Sequence, residues 1–240
     1  MDVPALEKAF TDKTRAVIVN SPNNPTGQIY TRKELETLSE AIRKHSEKIG
    51  RVIYLVSDEP YRFLNYDKLE LPSVFDLYKH SVIMGSFSKS LSLAGARIGY
   101  LAINPKIENA QQLYNGVVMT NRILGYVNAP AVAQKILTAC VNSEVDVDIY
   151  RQRRDAMAKV LDNAEIEYTL PKGAFYFFAK SPLEDDVEFV SLLLKENILA
   201  VPGRGFGYPG YFRLTFCVGK DVIERSAEGF KKAVNKISRM

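Results

Sequence analysis

Cysteine, histidine, long apolar runs and blocks of one charge are all scarce in this sequence. The two cysteines, Cys140 and Cys217, stand far apart and fit no metal-ligand or redox spacing. Both lie in apolar stretches, so they are expected to be buried reduced thiols, which suits a reducing, cytoplasmic compartment. The two histidines, His45 and His80, fall on a polar helical pattern and just before an apolar run, and both are expected at the surface. No metal centre is therefore expected. No segment approaches the ~18 continuous apolar residues that span a bilayer, and the polar opening Met1–Lys8 lacks the pattern of a signal peptide. Lys and Arg number 32 against 28 Asp and Glu, a net +4 with no clustering, which speaks against a nucleic-acid surface.

What is present is an ordinary soluble composition: 240 residues, 46% hydrophobic and 25% charged. That length buries a substantial core, as one large domain or one large and one small. Strand and helix patterns alternate at first. Arg15–Asn20 reads as a strand ending in the turn-rich Ser21-Pro22-Asn23-Asn24-Pro25-Thr26-Gly27. Thr31 and Glu34 form a capping-box pattern ahead of Leu35, Leu38, Ala41 and Ile42, one apolar helix face that stops near Gly50. Val52–Val56 is a second strand, running into Ser57-Asp58-Glu59-Pro60-Tyr61. Ser81–Gly85 reads as a buried third strand opening into Ser86-Phe87-Ser88-Lys89, and Arg97–Ile103 as a fourth. Helices are expected over 106–121, 129–142 and about 145–164. Short strands then follow at Tyr168–Pro171, Ala174–Ala179, Leu199–Val201 and Tyr211–Phe216, with helices near 186–197 and 221–237. The expected fold is α/β, a mainly parallel sheet flanked by helices, plus a smaller C-terminal α+β domain. The boundary is placed near residue 150, giving 1–150 and 151–240.

Ligands of such sheets bind beyond the carboxyl ends of the strands. Three strand endings carry reactive side chains there: Asn24, then Asp58 with Tyr61, then Ser86 to Lys89, with Arg97 eight positions after the lysine. If the strands are parallel neighbours, these groups converge on one edge. A lysine amine can form a Schiff base with a carbonyl, and hydroxyls with an arginine make an anion site. Together they suggest a carbonyl cofactor carrying a phosphate. On a pyridine-type cofactor, Lys89 would hold the aldehyde and later shuttle the substrate α-proton, while Asp58 would pair with the ring nitrogen. Asn24 and Tyr61 would donate to the phenolic oxygen, and Ser86, Ser88 and Arg97 would hold the phosphate. Arg213 sits mid-strand among apolar residues, where an unpaired charge is expensive; a substrate carboxylate would explain it. Each residue also has a plainer reading. Asn24 and the serines can shape turns, Asp58 can cap, Tyr61 can pack, Lys89 can be a surface lysine, and Arg213 can neutralise a structural acid.

The ordered segments Ser21–Gly27, Asp58-Glu59-Pro60-Tyr61, Ser86-Phe87-Ser88-Lys89, Arg97-Ile98-Gly99-Tyr100, Pro202–Gly207 and Tyr211-Phe212-Arg213-Leu214 resemble the signatures of class I/II aminotransferases. The resemblance spans essentially the whole chain. It implies fold type I, pyridoxal 5′-phosphate as cofactor, and amino acids and 2-oxo acids as substrates. It further implies Lys89 as Schiff-base lysine, Asp58 at the pyridine nitrogen, Asn24 and Tyr61 at the phenolic oxygen, Ser86, Ser88 and Arg97 at the phosphate, and Arg213 with Asn24 at the substrate carboxylate. A homodimer is implied for the full-length form. The resemblance also implies that about 150 residues precede the first strand, close to a whole domain's worth. The chain is thus expected to be a C-terminal portion lacking a glycine- and hydroxyl-rich phosphate-binding helix start, the ring stacked on the pyridine, opening strands and an N-terminal arm.

Other functions are weighed against this one. Carbon–sulfur lyases share the scaffold, Lys89, Asp58 and Arg213. A non-catalytic, cofactor-free module is a further alternative. A dinucleotide site at Gly203-Arg204-Gly205-Phe206-Gly207 has the wrong glycine spacing and a strand where a helix should open. Phe175–Phe178 is expected to pack the small-domain sheet.

Overall fold

A computed structural model describes residues 1–237. The chain forms two compact units: Met1–Ser21, Tyr30–Phe63 and Leu69–Val145 make the first, while Pro22–Ile29, Leu64–Lys68 and Asp146 onward make the second.

In the first unit, α1 (Val3–Ala9) precedes β1 (Ala16–Asn20), α2 (Arg32–Ile49), β2 (Tyr54–Asp58), α3 (Val74–Leu77), β3 (Ser81–Ser86) and the one-turn α4 (Phe87–Ser90). After a 3-10 turn at Ala94–Ala96 come β4 (Gly99–Ile103), α5 (Ala110–Ile123) and α6 (Ala131–Cys140). The capping box is formed: the Thr31 hydroxyl accepts from the Glu34 N–H at 3.3 Å, and the Glu34 carboxylate accepts from the Thr31 N–H at 2.8 Å. Helix α2 then buries Leu35, Leu38, Ala41 and Ile42. Leu38, Ala41 and Ile42 share a core with Val17, Val19, Ile53, Leu55, Val74 and Tyr78. Fully buried Leu38 and Ile42 each contribute about 1.5–3 kcal/mol relative to exposure. β1, β2 and β3 are parallel neighbours, and β4 closes the sheet antiparallel to β3. The register pairs Asn20 with Asp58, Asp58 with Met84, and Ser86 with Gly99. The carboxyl ends of the three parallel strands therefore share one edge.

The second unit holds α7 (Val147–Asn163), β5 (Tyr176–Lys180), α8 (Asp186–Lys195), β6 (Val201–Pro202), a 3-10 turn at Gly203–Phe206, β7 (Tyr211–Thr215), α9 (Lys220–Arg225) and α10 (Ala227–Ile237). Its sheet is antiparallel in the order β5-β7-β6. Strand alternation sends Phe177, Phe212 and Leu214 into a core with Leu161, Phe189, Leu193, Phe216 and Phe230. The other face carries Tyr176, Phe178, Tyr211 and Arg213, with Phe178 directly across from Arg213. Buried Arg154 of α7 holds the short segments in place. Its guanidinium donates to the Pro171 carbonyl at 3.2 Å, pairs with Asp67 at 3.5 Å and lies 5.0 Å from the Tyr66 ring centroid.

Several expected elements differ. Tyr168–Pro171 forms only a bridge from Tyr168 to Ala179, and Pro171 has no N–H for a ladder. The helix expected from 106 begins at Ala110, because the Asn104 side chain accepts from the Lys106 N–H at 3.0 Å and closes a turn there. The 221–237 pattern breaks into α9 and α10 at Ser226, whose hydroxyl donates to the Ile223 carbonyl at 2.6 Å. Arg97 lies outside β4, since its φ of 53° is left-handed. β3 is buried only at Ser81 and Val82, and Ile18 on the outer side of β1 is 68% exposed. Neither thiol is fully buried. Cys217 is exposed because alternation turns Phe216 inward instead, and Cys140 is half-buried on α6, whose one buried residue is Ala133. His45 and His80 are half-buried rather than exposed. No helix of the described residues is long and apolar enough to cross a membrane.

Candidate active site

Asp58 is the last residue of the central strand β2, and Asn20 ends β1 beside it. The Asn20 side-chain amide donates to the Asp58 carbonyl at 2.9 Å and reaches its carboxylate at 3.4 Å. Burial pushes the Asp58 carboxyl above the usual carboxylate range. The turn beyond it is pinned from three sides. Glu59, nearly buried, accepts from the Ser57 hydroxyl at 2.8 Å and from Arg62 at 3.3 Å, while its N–H donates to the Met84 carbonyl at 2.9 Å. That turn buries Tyr61, which is 5% exposed.

On the next strand, Ser86 ends β3 and caps α4, its hydroxyl accepting from the Ser88 N–H at 3.2 Å. A hydroxyl used as an acceptor keeps its own proton to donate. Lys89 lies in α4, half-buried. Arg97 follows the 3-10 turn, exposed, with one guanidinium N–H donating to the Ala94 carbonyl at 2.9 Å. Its left-handed backbone costs a non-glycine residue about 1–2 kcal/mol. The first unit thus gathers Asp58, Tyr61, Ser86, Ser88, Lys89 and Arg97 at or just after the ends of β2 and β3.

Asn24 lies in the turn that follows β1. The Pro22–Ile29 segment belongs to the second unit, where the Gly27 carbonyl accepts from the Lys172 and Gly173 N–H groups, both at 2.9 Å. The last residue of β1 itself is Asn20. Asn24 meets Arg213, whose Nη1 donates to its Oδ1 at 3.0 Å. The Arg213 guanidinium carbon lies 4.7 Å from the Tyr176 ring centroid and 4.9 Å from that of Phe206. Among the described residues no carboxylate forms an ion pair with Arg213, so the structural-acid explanation of this charge finds no acid. Tyr176 thus does more than pack the sheet.

Sequence reasoning did not find Asn20, Glu59, Phe206 or Asp186. Asp186 is 0% exposed; its carboxylate accepts from the Arg204 backbone N–H and Nε, both at 2.8 Å, and so fastens the start of the loop that carries Phe206. An acid at a helix start followed by Arg204 in a glycine-rich loop was a visible signal only for a reader who knew the two were close.

Comparison with known proteins matches the same stretch of sequence. The family described as aminotransferase class I and II matches residues 1–230. An aspartate aminotransferase of Thermotoga maritima is 34% identical over 95% of this chain and 58% of its own length. An aromatic-amino-acid aminotransferase of Thermococcus litoralis is 30% identical over 98% of this chain and 61% of its own length. A solved amino transferase from Eubacterium rectale superposes with a TM-score of 0.93 at 38% identity, covering 98% of this chain and 59% of that one. The chain spans about 60% of the length of these relatives.

Proposed function

The chain belongs to the class I and II aminotransferase family, and from that premise we propose that its protein is a pyridoxal-phosphate-dependent aminotransferase moving an amino group between an amino acid and a 2-oxo acid. The observation that carries the reading is Arg213, a strand-borne guanidinium gripped by Asn24 and two ring faces, with no acid of its own among the described residues. A planar fork so held is suited to bind a carboxylate through two parallel hydrogen bonds.

The residues of the first unit fit the cofactor. Asp58, pushed up by burial, is a carboxylate that a protonated ring nitrogen would restore to its charged form. Ser86 and Ser88 offer hydroxyl protons, and Arg97 offers the rest of its fork, to a phosphate. Tyr61 would donate to a phenolic oxygen, and Asn24 would do so as well as meet the substrate carboxylate. Bound pyridoxal phosphate supplies an electron sink for the pair left when the substrate α-proton departs. Lys89 Nζ would hold the cofactor through its aldehyde carbon and would take and return the proton at the substrate α-carbon. Asp58 would pair with the protonated ring nitrogen, and Arg213 with Asn24 would orient the substrate by its carboxylate.

The names of the relatives support transamination over elimination. A homodimer in a cytoplasmic compartment is part of this reading. It is supported by exposed apolar residues such as Tyr114, Met119, Ile123 and Val132 on α5 and α6, and by two free thiols. The test is amino-group transfer from aspartate or phenylalanine to 2-oxoglutarate, with the Lys89→Ala variant as control. Transfer that is lost in the variant supports the proposal; release of pyruvate from cystathionine without transfer would replace it with a lyase.

A further inference from the structure

Strand register sets Asn20 of β1, Asp58 of β2 and Met84 of β3 side by side at the carboxyl edge of the first unit's sheet, and register partners share a sheet face. Asn20 and Asp58 are the last pair between their strands, so the Asp58 carbonyl stands where the backbone ladder stops. The Asn20 side chain carries the ladder one step further. Its amide nitrogen bears two N–H groups and lies 2.9 Å from the Asp58 carbonyl and 3.4 Å from Oδ2 of the same residue. The carbonyl contact is the anchor; the carboxylate contact is long for a bond of this kind. A side chain that meets both the backbone and the carboxylate of one residue limits how that carboxylate turns about χ1. Alternation sends Ser57 to the other face, where its hydroxyl donates to Glu59 at 2.8 Å. The strand end is thus tied on one face by Ser57 and Glu59, and on the carboxylate's own face by Asn20.

We propose that Asn20 is a positioning residue of the cofactor site that acts through Asp58: its amide steadies Oδ2 and leaves Oδ1 for a second donor, the protonated nitrogen of the cofactor ring. The proposal rests on the reading of Asp58 as the partner of that nitrogen. A carboxylate accepts at both oxygens, so one donor does not exclude the other. Burial works against the charge on Asp58, and a donor at Oδ2 works for it. An aliphatic side chain in place of Asn20 keeps the shape of the strand end, frees the carboxylate to turn and removes that donor. An Asn20 that only satisfied a carbonyl at the end of a strand would behave differently. Nothing it did would depend on which atom the cofactor presents to Asp58.

The test uses the full chain and two probes, pyridoxal phosphate and its 1-deaza analogue, in which C–H replaces the ring nitrogen, with affinities measured by calorimetry. The wild-type chain is expected to bind pyridoxal phosphate more tightly than the analogue. Asn20→Leu, close in shape and without donors, is expected to weaken pyridoxal phosphate about tenfold, the low end for a hydrogen bond to a charged group. Binding of the analogue is expected to stay unchanged. In the cofactor-free chain, carbon NMR of the Asp58 carboxyl is expected to show its titration midpoint moving up in Asn20→Leu. Asn20→Ala is expected to act in the same direction and serves where leucine disturbs the strand end. Equal weakening of both probes, or a preference for pyridoxal phosphate undiminished in both variants, overturns the positioning role and leaves the cofactor reading standing. An unmoved Asp58 midpoint overturns it as well. A wild-type chain that does not distinguish the two probes, whether both bind or neither does, removes the ring-nitrogen reading of Asp58 and this inference with it.

Discussion

Replacing Gly27 with alanine probes how the second unit holds Asn24 against Arg213. Gly27 has φ +67°, and an added Cβ would sit 2.5 Å from Pro171 Cβ, 3.0 Å from the Tyr176 carbonyl and 3.1 Å from that of Gly173. The left-handed backbone costs alanine about 1–2 kcal/mol, and forcing a methyl into that contact costs about 1–3 kcal/mol more. Loss of chain entropy in the unfolded state returns about 0.4–1 kcal/mol. The net expectation is a loss of about 2–4 kcal/mol. Gly210 is the control within the same unit: its φ is +80°, but an added Cβ meets nothing within 4 Å, so Gly210→Ala carries only the backbone part. That leaves a loss of about 0–1.6 kcal/mol. Urea denaturation of both variants, read by circular dichroism, gives the comparison. The Asn24 side-chain amide, followed by NMR, should shift in Gly27→Ala alone. Equal losses in the two variants would refute the claim that close packing, rather than backbone shape, fixes this turn.

Two further predictions concern charge. Because burial raises the Asp58 carboxyl, its ionised form costs the cofactor-free fold stability above its native pKa. Asp58→Asn should therefore raise the melting temperature of the cofactor-free chain at neutral pH, with the gain fading in acid, while weakening pyridoxal phosphate binding; a lower melting temperature would contradict the assignment. At Asp186, burial alone would raise the carboxyl, but hydrogen bonds from the Arg204 N–H and guanidinium outweigh it and hold the group below the usual range. Its contribution is then present above the ordinary carboxylate pKa and lost as pH falls through the native value. Asp186→Asn should cost about 1–2 kcal/mol at neutral pH, the low side of a charge-assisted bond because Arg204 is half-exposed. The deficit should disappear in acid, and a pH-independent loss would count against the pairing.

Much of the first unit was legible because its signals are local. Thr31 with Glu34, the Leu35–Ile42 stripe and the apolar strands need only neighbours in sequence, and their pattern yields a parallel sheet with Asp58 and the Ser86–Lys89 segment at its carboxyl edge. The antiparallel direction of β4 was not written in its own residues. Nor was the transfer of Pro22–Ile29 to the second unit, which depends on the Gly27 carbonyl meeting Lys172 and Gly173 far along the chain. Arg213 was conspicuous as a charge in an apolar strand, yet its ring cradle joins Tyr176 and Phe206 from separate segments. Patterning reveals which residue is out of place; only the fold shows what surrounds it.

The central claim is that Lys89 carries the cofactor, and one measurement reaches it directly. The protein is incubated with pyridoxal phosphate, reduced with borohydride and mapped by peptide mass spectrometry. A single dominant pyridoxyl modification is expected on the peptide containing Ser86-Phe87-Ser88-Lys89, absent in Lys89→Ala. Labelling spread over surface lysines, or undiminished in Lys89→Ala, would contradict it.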